Sequence, residues 1–289
     1  MSRVALVTGA ARGIGAATVR GLAAAGWSVV AVDRGSDDPR IPYPMGRIEE
    51  LDAVVAQALV LSAHSLSPPS ASTGAPPPGS QPAAHTEDVR IVARLADTTD
   101  AVALGAAVAE AEERFGGLDA VVAAAGVIAG GVPLWEMPHQ QLDAVLEVDL
   151  GGPIVAARVG IPALLRRPPP RSGRFLAVAS AAATKGLPML SAYGAAKAGV
   201  AGLVRGLAVE LADRGVTANA ISPGSTATAM LDESARIYGL ADVGSFIAQQ
   251  PVGRLLTPEE VAAALVWLAG TESGALTGAV IPVDGGLAL

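Results

Sequence analysis

The chain has 289 residues, of which 51% are hydrophobic, 16% charged and 3% aromatic, and its net charge is −7. This length allows one large α/β domain with a well-buried core, or two small domains. The absence of cysteine excludes disulfides and cysteine-ligated zinc, and the three scattered histidines lack metal-ligand spacing, so we expect no metal site. The negative charge disfavours nucleic acid as a partner.

No membrane-spanning segment is expected. The N-terminus reads directly into a strand, without a charged and then apolar leader. The longest uncharged run considered as a membrane span, Ala120–Trp135, is interrupted by glycines and a proline and is too short to cross a bilayer. We therefore expect a soluble, cytoplasmic protein.

Apolar β-branched runs alternate with helix-length segments along most of the chain. The predicted strands are Val4–Val7, Val29–Val32, Val89–Val92, Ala120–Ala124, Phe175–Ala179, Thr217–Ile221 and Ala279–Val283. The predicted helices are Gly13–Ala25, Asp100–Phe115, Leu142–Leu165, Tyr193–Arg214 and Pro258–Ala269. Strands without polar alternation, separated by helices, are typical of a parallel sheet covered on both faces. We predict one doubly wound α/β domain over residues 1–289, with a seven-stranded, mainly parallel sheet.

An insertion at about residues 34–96 interrupts this alternation. It contains a predicted helix, Ile48–Ala63, and a segment at 65–86 rich in Pro, Ser, Ala and Gly, whose composition predicts a flexible surface excursion. Two interpretations stay open: a tolerated insertion, or a docking element or lid beside a nucleotide site.

A glycine-rich turn, Thr8–Gly15, follows the first strand and opens the first helix. Such glycines let the backbone approach a pyrophosphate, whose charge the helix N-terminus meets. The next strand ends in Asp33, 18 residues after Gly15, which completes the arrangement of a dinucleotide-binding Rossmann-type domain. The predicted contacts from this turn are Gly9, Ala11, Arg12, Gly13, Ile14 and Gly15.

Asp33 and Arg34 give opposite indications about the cofactor. A carboxylate at this strand end accepts hydrogen bonds from the adenosine ribose and repels a 2′-phosphate, so Asp33 favours NAD over NADP. A guanidinium can instead hold that phosphate, and Arg34 leaves an NADP-dependent reductase open as an alternative.

Tyr193 and Lys197 are four positions apart, so they project from one face of a helix, and Ser180 precedes Tyr193 by 13 residues at a strand end. An ammonium beside a phenol favours the phenolate and lowers the pKa of that phenol. We expect Ser180 to hydrogen-bond a substrate oxygen. Chance occurrence in an alanine-rich helix is the alternative for the Tyr–Lys pair.

With these motifs in order, the sequence resembles the short-chain dehydrogenase/reductase family over essentially its whole length. Further matches are Asp97, Ala125-Gly126, Pro223-Gly224 with Thr228, and Asp284-Gly285-Gly286. The resemblance implies that Tyr193 is the general acid/base, that Ser180 orients the substrate oxygen and that Lys197 holds the nicotinamide ribose. It also implies cofactor contacts at Asp97, Thr98, Ala125, Gly126, Tyr193, Lys197, Pro223, Gly224, Thr226 and Thr228.

A narrower resemblance links residues 37–44, 123–131 and 222–230 to the mycofactocin-coupled subgroup. It implies tightly held NAD, reoxidised by mycofactocin, with the insertion covering the cofactor. Family members are commonly homotetramers through the helices that correspond to Leu142–Leu165 and Tyr193–Arg214. A small-residue face at Ala195, Gly199, Gly202 and Gly206 suits either such packing or an intrachain contact.

Two departures from the family pattern stand out. Ala123–Gly126 replaces the usual Asn-Asn-Ala-Gly, which bears on sheet stability more than on chemistry. Asp149 replaces a helical Asn of the catalytic tetrad, and its charge would stabilise the Lys197 cation and oppose phenolate formation at Tyr193. Alternatively, Asp149 points away from the site.

The predicted substrate pocket is mainly apolar, which favours a hydrophobic secondary alcohol or ketone. Its candidate lining residues are Ile128, Trp135, Ala181, Leu187, Met189, Met230, Tyr238 and Phe246. The sequence thus predicts an NAD(H)-dependent alcohol dehydrogenase or ketone reductase. An NADP-dependent carbonyl reductase and a non-catalytic NAD-binding sensor or scaffold are the alternatives.

Overall fold

The computed structural model describes residues 2–65 and 90–289. Their strands are β1 (Val4–Thr8), β2 (Ser28–Asp33), β3 (Ile91–Leu95), β4 (Ala120–Ala123), β5 (Gly173–Val178), β6 (Val216–Pro223) and β7 (Val280–Val283). They form one sheet in the order β3-β2-β1-β4-β5-β6-β7, and every neighbouring pair is parallel. The strand order reverses between β1 and β4, which is where ligands bind in open α/β sheets.

Helices cover both faces of this sheet. They are α1 (Gly13–Ala24), α2 (Ile48–Ser65), α3 (Ala101–Phe115), α4 (His139–Leu146), α5 (Gly152–Arg166), α6 (Ser191–Glu210), α7 (Ala229–Ile237) and α8 (Pro258–Ala269). One buried cluster joins the sheet to α3, α5 and α6, and a second joins it to α1, α2 and α8. Along β1, Val4 and Leu6 enter the first cluster and Ala5 and Val7 the second, because successive side chains of a strand point to opposite faces. The predicted doubly wound fold is confirmed.

The helix predicted at Leu142–Leu165 differs in one respect that matters for the site. It is interrupted by a π-helical turn, Glu147–Gly151, between α4 and α5, and this turn contains Asp149. The span His139–Arg166 is long enough to cross a membrane and contains an 18-residue window with a mean hydropathy of 1.4, but half of that window is buried inside the fold. Its apolar composition therefore reflects a core helix packed on the sheet.

Some other observed helices and strands begin or end a few residues away from their predicted boundaries. Helix α6 ends at Glu210 rather than Arg214, and α7, a short amphipathic helix, was not predicted. Helix α2 closely matches the predicted Ile48–Ala63 and packs on α1. The predicted flexible segment at 65–86 lies outside the described residues from position 66 onward, and so does Val89 of the predicted strand Val89–Val92, which is observed as β3.

Candidate active site

A cavity of about 630 Å³ lies at the carboxyl ends of the central strands. It brings together almost all predicted site residues. The predicted cofactor and catalytic residues that line it are Gly9, Arg12, Gly13, Ile14, Gly15, Asp33, Arg34, Asp97, Thr98, Ala125, Gly126, Ser180, Tyr193, Lys197, Pro223, Gly224, Thr226 and Thr228. Ala11 and Asp149 lie just behind the lining, where they contact residues that belong to it.

The glycine-rich turn approaches neighbouring backbone too closely for side chains. Gly9 has φ +68°, and a Cβ on it would lie 2.6 Å from Cα of Ala125; a Cβ on Gly15 would lie 2.0 Å from the carbonyl oxygen of Gly9. Arg12 precedes α1 without a side-chain capping bond. The first backbone N–H groups of α1 are therefore free of a side-chain cap beside the cavity, a geometry that fits a pyrophosphate.

The far end of the cavity suits an adenosine ribose. Asp33 accepts the N–H of Ala11 at 3.0 Å through Oδ2 and the N–H of Gly35 at 3.1 Å through Oδ1. These bonds hold the carboxylate at the cavity wall. Thr98 also lines this end, and its buried Oγ1 has no hydrogen-bond partner among the described residues.

The start of the insertion contributes cavity residues that the sequence did not identify. Ser36, Asp38, Met45 and Gly46 line the cavity, and Tyr43 lies behind them. The Tyr43 hydroxyl accepts the N–H of Ile128 at 3.1 Å. These contacts join segments that are far apart in the chain, so the sequence could not identify the individual residues. Its one relevant signal was the position of the insertion directly after the strand that ends in Asp33.

The other end of the cavity contains the three predicted catalytic side chains. Tyr193 and Lys197 lie on one face of α6, with the Lys197 Nζ 5.7 Å from the centre of the Tyr193 ring. Nζ also donates to the carbonyl oxygen of Val178 at 3.1 Å, which ties the lysine to the end of β5. The Tyr193 hydroxyl lies 3.9 Å from Sδ of Met230, and Ser180 Oγ accepts the N–H of Ala182 at 3.1 Å.

Asp149 points at Lys197 rather than away from it. Its Oδ1 lies 3.2 Å from Nζ and accepts the N–H of Val127 at 3.1 Å. The side chain is completely buried, and Oδ2 has no partner among the described residues. The π-helical turn thus presents a carboxylate directly to Lys197.

Burial and this carboxylate together set the electrostatics of the site. Burial raises the pKa of Tyr193; Lys197 opposes that rise, Asp149 adds to it, and a hydrogen bond with Ser180 lowers it. The net pKa of Tyr193 is above its ordinary value, so in the protein without ligand the lysine does not outweigh burial. Burial lowers the pKa of Lys197, but the charge of Asp149, the charge of Tyr193 and the hydrogen bond to Asp149 together raise it above its ordinary value, and the lysine stays a cation. Burial raises the pKa of Asp149 itself.

The wall around the Tyr193 hydroxyl is largely apolar. Predicted substrate residues that line it are Ile128, Ala181, Leu187, Met230, Tyr238 and Phe246. Trp135 is 84% exposed and Met189 is 46% exposed, and neither lines the cavity, because both lie on surface turns. The Tyr238 hydroxyl donates to the carbonyl oxygen of Pro188 at 3.0 Å and so joins the end of α7 to the segment after β5.

Comparison with known proteins agrees with this geometry. The family model described as short chain dehydrogenase matches residues 3–65, and the one described as Enoyl-(Acyl carrier protein) reductase matches residues 79–288. The chain belongs to the short-chain dehydrogenase family.

Relatives match over nearly their full lengths. The short-chain reductase protein NovJ of Streptomyces niveus is 38% identical, with 98% of this chain and 93% of the relative covered. The cis-4-hydroxycyclohexanecarboxylate dehydrogenase of Sinomonas cyclohexanicum is 36% identical, with 98% and 96% covered. The crystal structure of carveol dehydrogenase from Mycobacterium avium in complex with NAD is similar, with a TM-score of 0.83 and 28% sequence identity. The match covers 99% of this chain and 97% of that chain. As a member of this family, the chain is an oxidoreductase of alcohol and ketone substrates.

Proposed function

We propose that the protein is an NAD(H)-dependent dehydrogenase that interconverts an apolar secondary alcohol and its ketone, with Tyr193 as the acid/base. The observation that carries the proposal is the convergence of Ser180, Tyr193 and Lys197 on the apolar end of a cavity whose other end presents Asp33. When bound, NAD accepts or returns the hydride at its nicotinamide. The protein supplies binding, orientation and proton transfer.

The residues fit the two ends of the cofactor. The turn at Gly9–Gly15 would hold the pyrophosphate, Asp33 the adenosine ribose and Lys197 the nicotinamide ribose. Pro223, Gly224, Thr226 and Thr228 line the wall next to the catalytic side chains. The NAD complex of the carveol dehydrogenase supports the choice of cofactor.

Ser180 and Tyr193 would act on the substrate oxygen. Ser180 Oγ would orient the hydroxyl of the alcohol, and the Tyr193 phenolate would take its proton as the carbon loses hydride. In the reverse direction the Tyr193 phenol would return that proton to the ketone oxygen. Lys197 would stabilise the phenolate by its charge.

The apolar wall favours a substrate without charge. The cationic residues among the described lining residues are Arg12, Arg34 and Lys197, which lie at the cofactor half or beside Tyr193. A carboxylate or phosphate on the substrate would therefore meet no cation among the described residues of the Ile128 and Met230 wall. Carveol, a cyclic secondary alcohol named for one relative's activity, is the kind of substrate that this wall accommodates.

The test is oxidation of cyclic secondary alcohols, followed by absorbance of reduced nicotinamide. Tyr193→Phe should lower kcat by about a thousandfold or more while the Kd for NAD changes less than about threefold, because the ring and its packing remain. Tyr238→Phe is the matched control: it removes a hydroxyl from the same cavity that bonds to Pro188, so it should alter KM more than kcat. Full turnover by the Tyr193 variant would refute the proposed acid/base.

We further propose that NAD is held tightly and recycled by mycofactocin. The support is the insertion, which lines the cavity at Asp38, Met45 and Gly46 and is tied down by the bond from Ile128 to Tyr43. Denaturing purified protein after dialysis and identifying the released nucleotide tests this proposal. An empty protein that turns over freely added NAD would contradict it.

We also propose that the protein is a homotetramer in the cytoplasm. On α6, Ala195, Gly202 and Gly206 are exposed, and a Cβ on either of these two glycines would meet nothing within 4 Å. This open, small-residue face supports helix packing between subunits. Gly199 instead faces Leu150 of the same chain, so it serves an intrachain contact. Light scattering after gel filtration measures the assembly, and a monomer would contradict it.

A further inference from the structure

Arg34 is the residue that, on sequence grounds, leaves NADP open as the cofactor. It follows Asp33 directly and lines the adenosine end of the cavity. An arginine near the end of this strand is a common way to accommodate a 2′-phosphate. Whether it can do so depends on what already holds its guanidinium.

Two carboxylates hold that guanidinium. Arg34 Nη1 lies 3.0 Å from Oδ2 of Asp38 and 3.5 Å from Oδ2 of Asp97. The side chain of Asp38 is only 3% exposed, whereas those of Arg34 and Asp97 are 34% and 31% exposed, so water reaches the Asp38 end of the first pair least. A charge-assisted hydrogen bond of this kind is stronger than one between neutral groups.

Asp38 is itself fixed firmly in place. The guanidinium of Arg40 donates to both of its oxygens, and the backbone N–H of Arg40 donates to Oδ1 at 2.9 Å. Arg40 Nη1 also donates to Oε2 of Glu147, in the π-helical turn, at 2.6 Å. The Arg40 hydrogen bonds also lower the pKa of Asp38, which therefore stays ionised.

The charges at the adenosine end of the cavity also repel a 2′-phosphate. Asp33, Asp38, Asp97 and Glu147 outnumber Arg34 and Arg40, and these side chains stay net negative when Arg12 is counted with them, even with every ion pair formed. A 2′-phosphate would have to displace Asp38 from Arg34 and leave a buried carboxylate with one partner fewer.

We propose that Asp38 is a specificity-determining residue for the cofactor: it occupies the Arg34 guanidinium and so withholds it from a 2′-phosphate. Selection against NADP then has two parts, repulsion by Asp33 and the sequestration of Arg34 by Asp38. This assignment rests on the proposed binding of NAD in the cavity.

The test is equilibrium dialysis of the purified protein, freed first of any nucleotide that co-purifies with it, against NAD and, separately, NADP, with bound nucleotide quantified by chromatography after denaturation. Asp38→Asn keeps an oxygen for the Arg40 N–H but removes the charge that holds Arg34. It should tighten NADP binding about tenfold or more, since the freed guanidinium gains a charge-assisted partner. The affinity for NAD should change less than about threefold.

Arg34 provides the decisive control. In the wild-type protein, Arg34→Leu should change the affinity for NADP less than about twofold, because the guanidinium is already occupied. In the Asp38→Asn background, the same change should remove the gain.

The outcomes separate the two proposals. Wild-type protein that binds neither nucleotide would overturn the proposed function, and this assignment with it. Wild-type protein that binds NAD, together with an Asp38→Asn variant whose NADP affinity is unchanged, would overturn only the role of Asp38. A tenfold loss of NADP affinity on Arg34→Leu in the wild-type protein would also overturn the role of Asp38. This measurement does not require the Asp38 variant to fold.

Discussion

Replacing Asp149 by Asn should shift the pH dependence of alcohol oxidation toward lower pH. Oxidation needs the Tyr193 phenolate, so its rate rises as Tyr193 loses its proton, and the charge of Asp149 raises the pKa of Tyr193. Asn removes that charge, keeps an oxygen for the N–H of Val127 and leaves Lys197 tied to Val178. With Lys197 still a cation, the pKa of Tyr193 then falls, and the acidic limb of the kcat profile moves down in pH.

The distances give the size of this shift. Asp149 Oδ1 lies 3.2 Å from Lys197 Nζ, which lies 5.7 Å from the centre of the Tyr193 ring, so the carboxylate is at most about 9 Å from the phenol ring centre. At an effective dielectric constant of about 20, a unit charge at that distance contributes about 1.8 kcal/mol. The acidic limb should therefore move by about one pH unit.

The assay is kcat for one alcohol across the pH range, with saturating NAD. Glu147→Gln is the matched control: it removes a carboxylate from the same π-helical turn, but that side chain is 54% exposed and paired with Arg40, so water screens it. Its acidic limb should stay where it is in the wild type. A folded Asp149→Asn enzyme whose limb is unmoved, or moves to higher pH, would refute the electrostatic role of Asp149.

Two further predictions concern close packing and the insertion. Gly15→Ala should destabilise the protein by more than about 2 kcal/mol in urea denaturation, because its Cβ would meet the Gly9 carbonyl oxygen at 2.0 Å. Gly105→Ala, inside α3 where a Cβ meets nothing within 4 Å, should instead stabilise it by about 0.5–1 kcal/mol, and equal effects of the two would contradict the steric argument. Tyr43→Phe should accelerate release of bound NAD about tenfold in an exchange assay with labelled nucleotide, because the N–H of Ile128 loses its acceptor; an unchanged release rate would show that this bond does not hold the insertion.

The sequence was most informative where the chemistry is local. The turn at Thr8–Gly15 and the pair Tyr193 and Lys197 are set by spacing along one strand-to-helix turn and one helix face, and the structure brings both to the same cavity. The strands were predictable because strands buried on both faces read as continuous apolar runs. Helix α7 was missed because its nine residues carry little net hydrophobicity and lie within a long excursion.

What the sequence could not give is the pairing of charges between distant segments. It raised both interpretations of Asp149 and both of Arg34, since a residue's type does not reveal which neighbour it meets. The π-helical turn directs Asp149 onto Lys197, and the start of the insertion brings Asp38 to Arg34. The sequence also does not reveal how deeply a side chain is buried. Burial raises the pKa of Tyr193 despite the adjacent lysine.

The order of residues alone therefore determined the doubly wound fold, the family and the side chains available for catalysis, because these follow from periodicity and from spacing within single elements. Tertiary structure alone decided which carboxylate faces which cation and how much water reaches each of them. Electrostatic energy depends on distance and dielectric environment in space, and neither is set by separation along the chain.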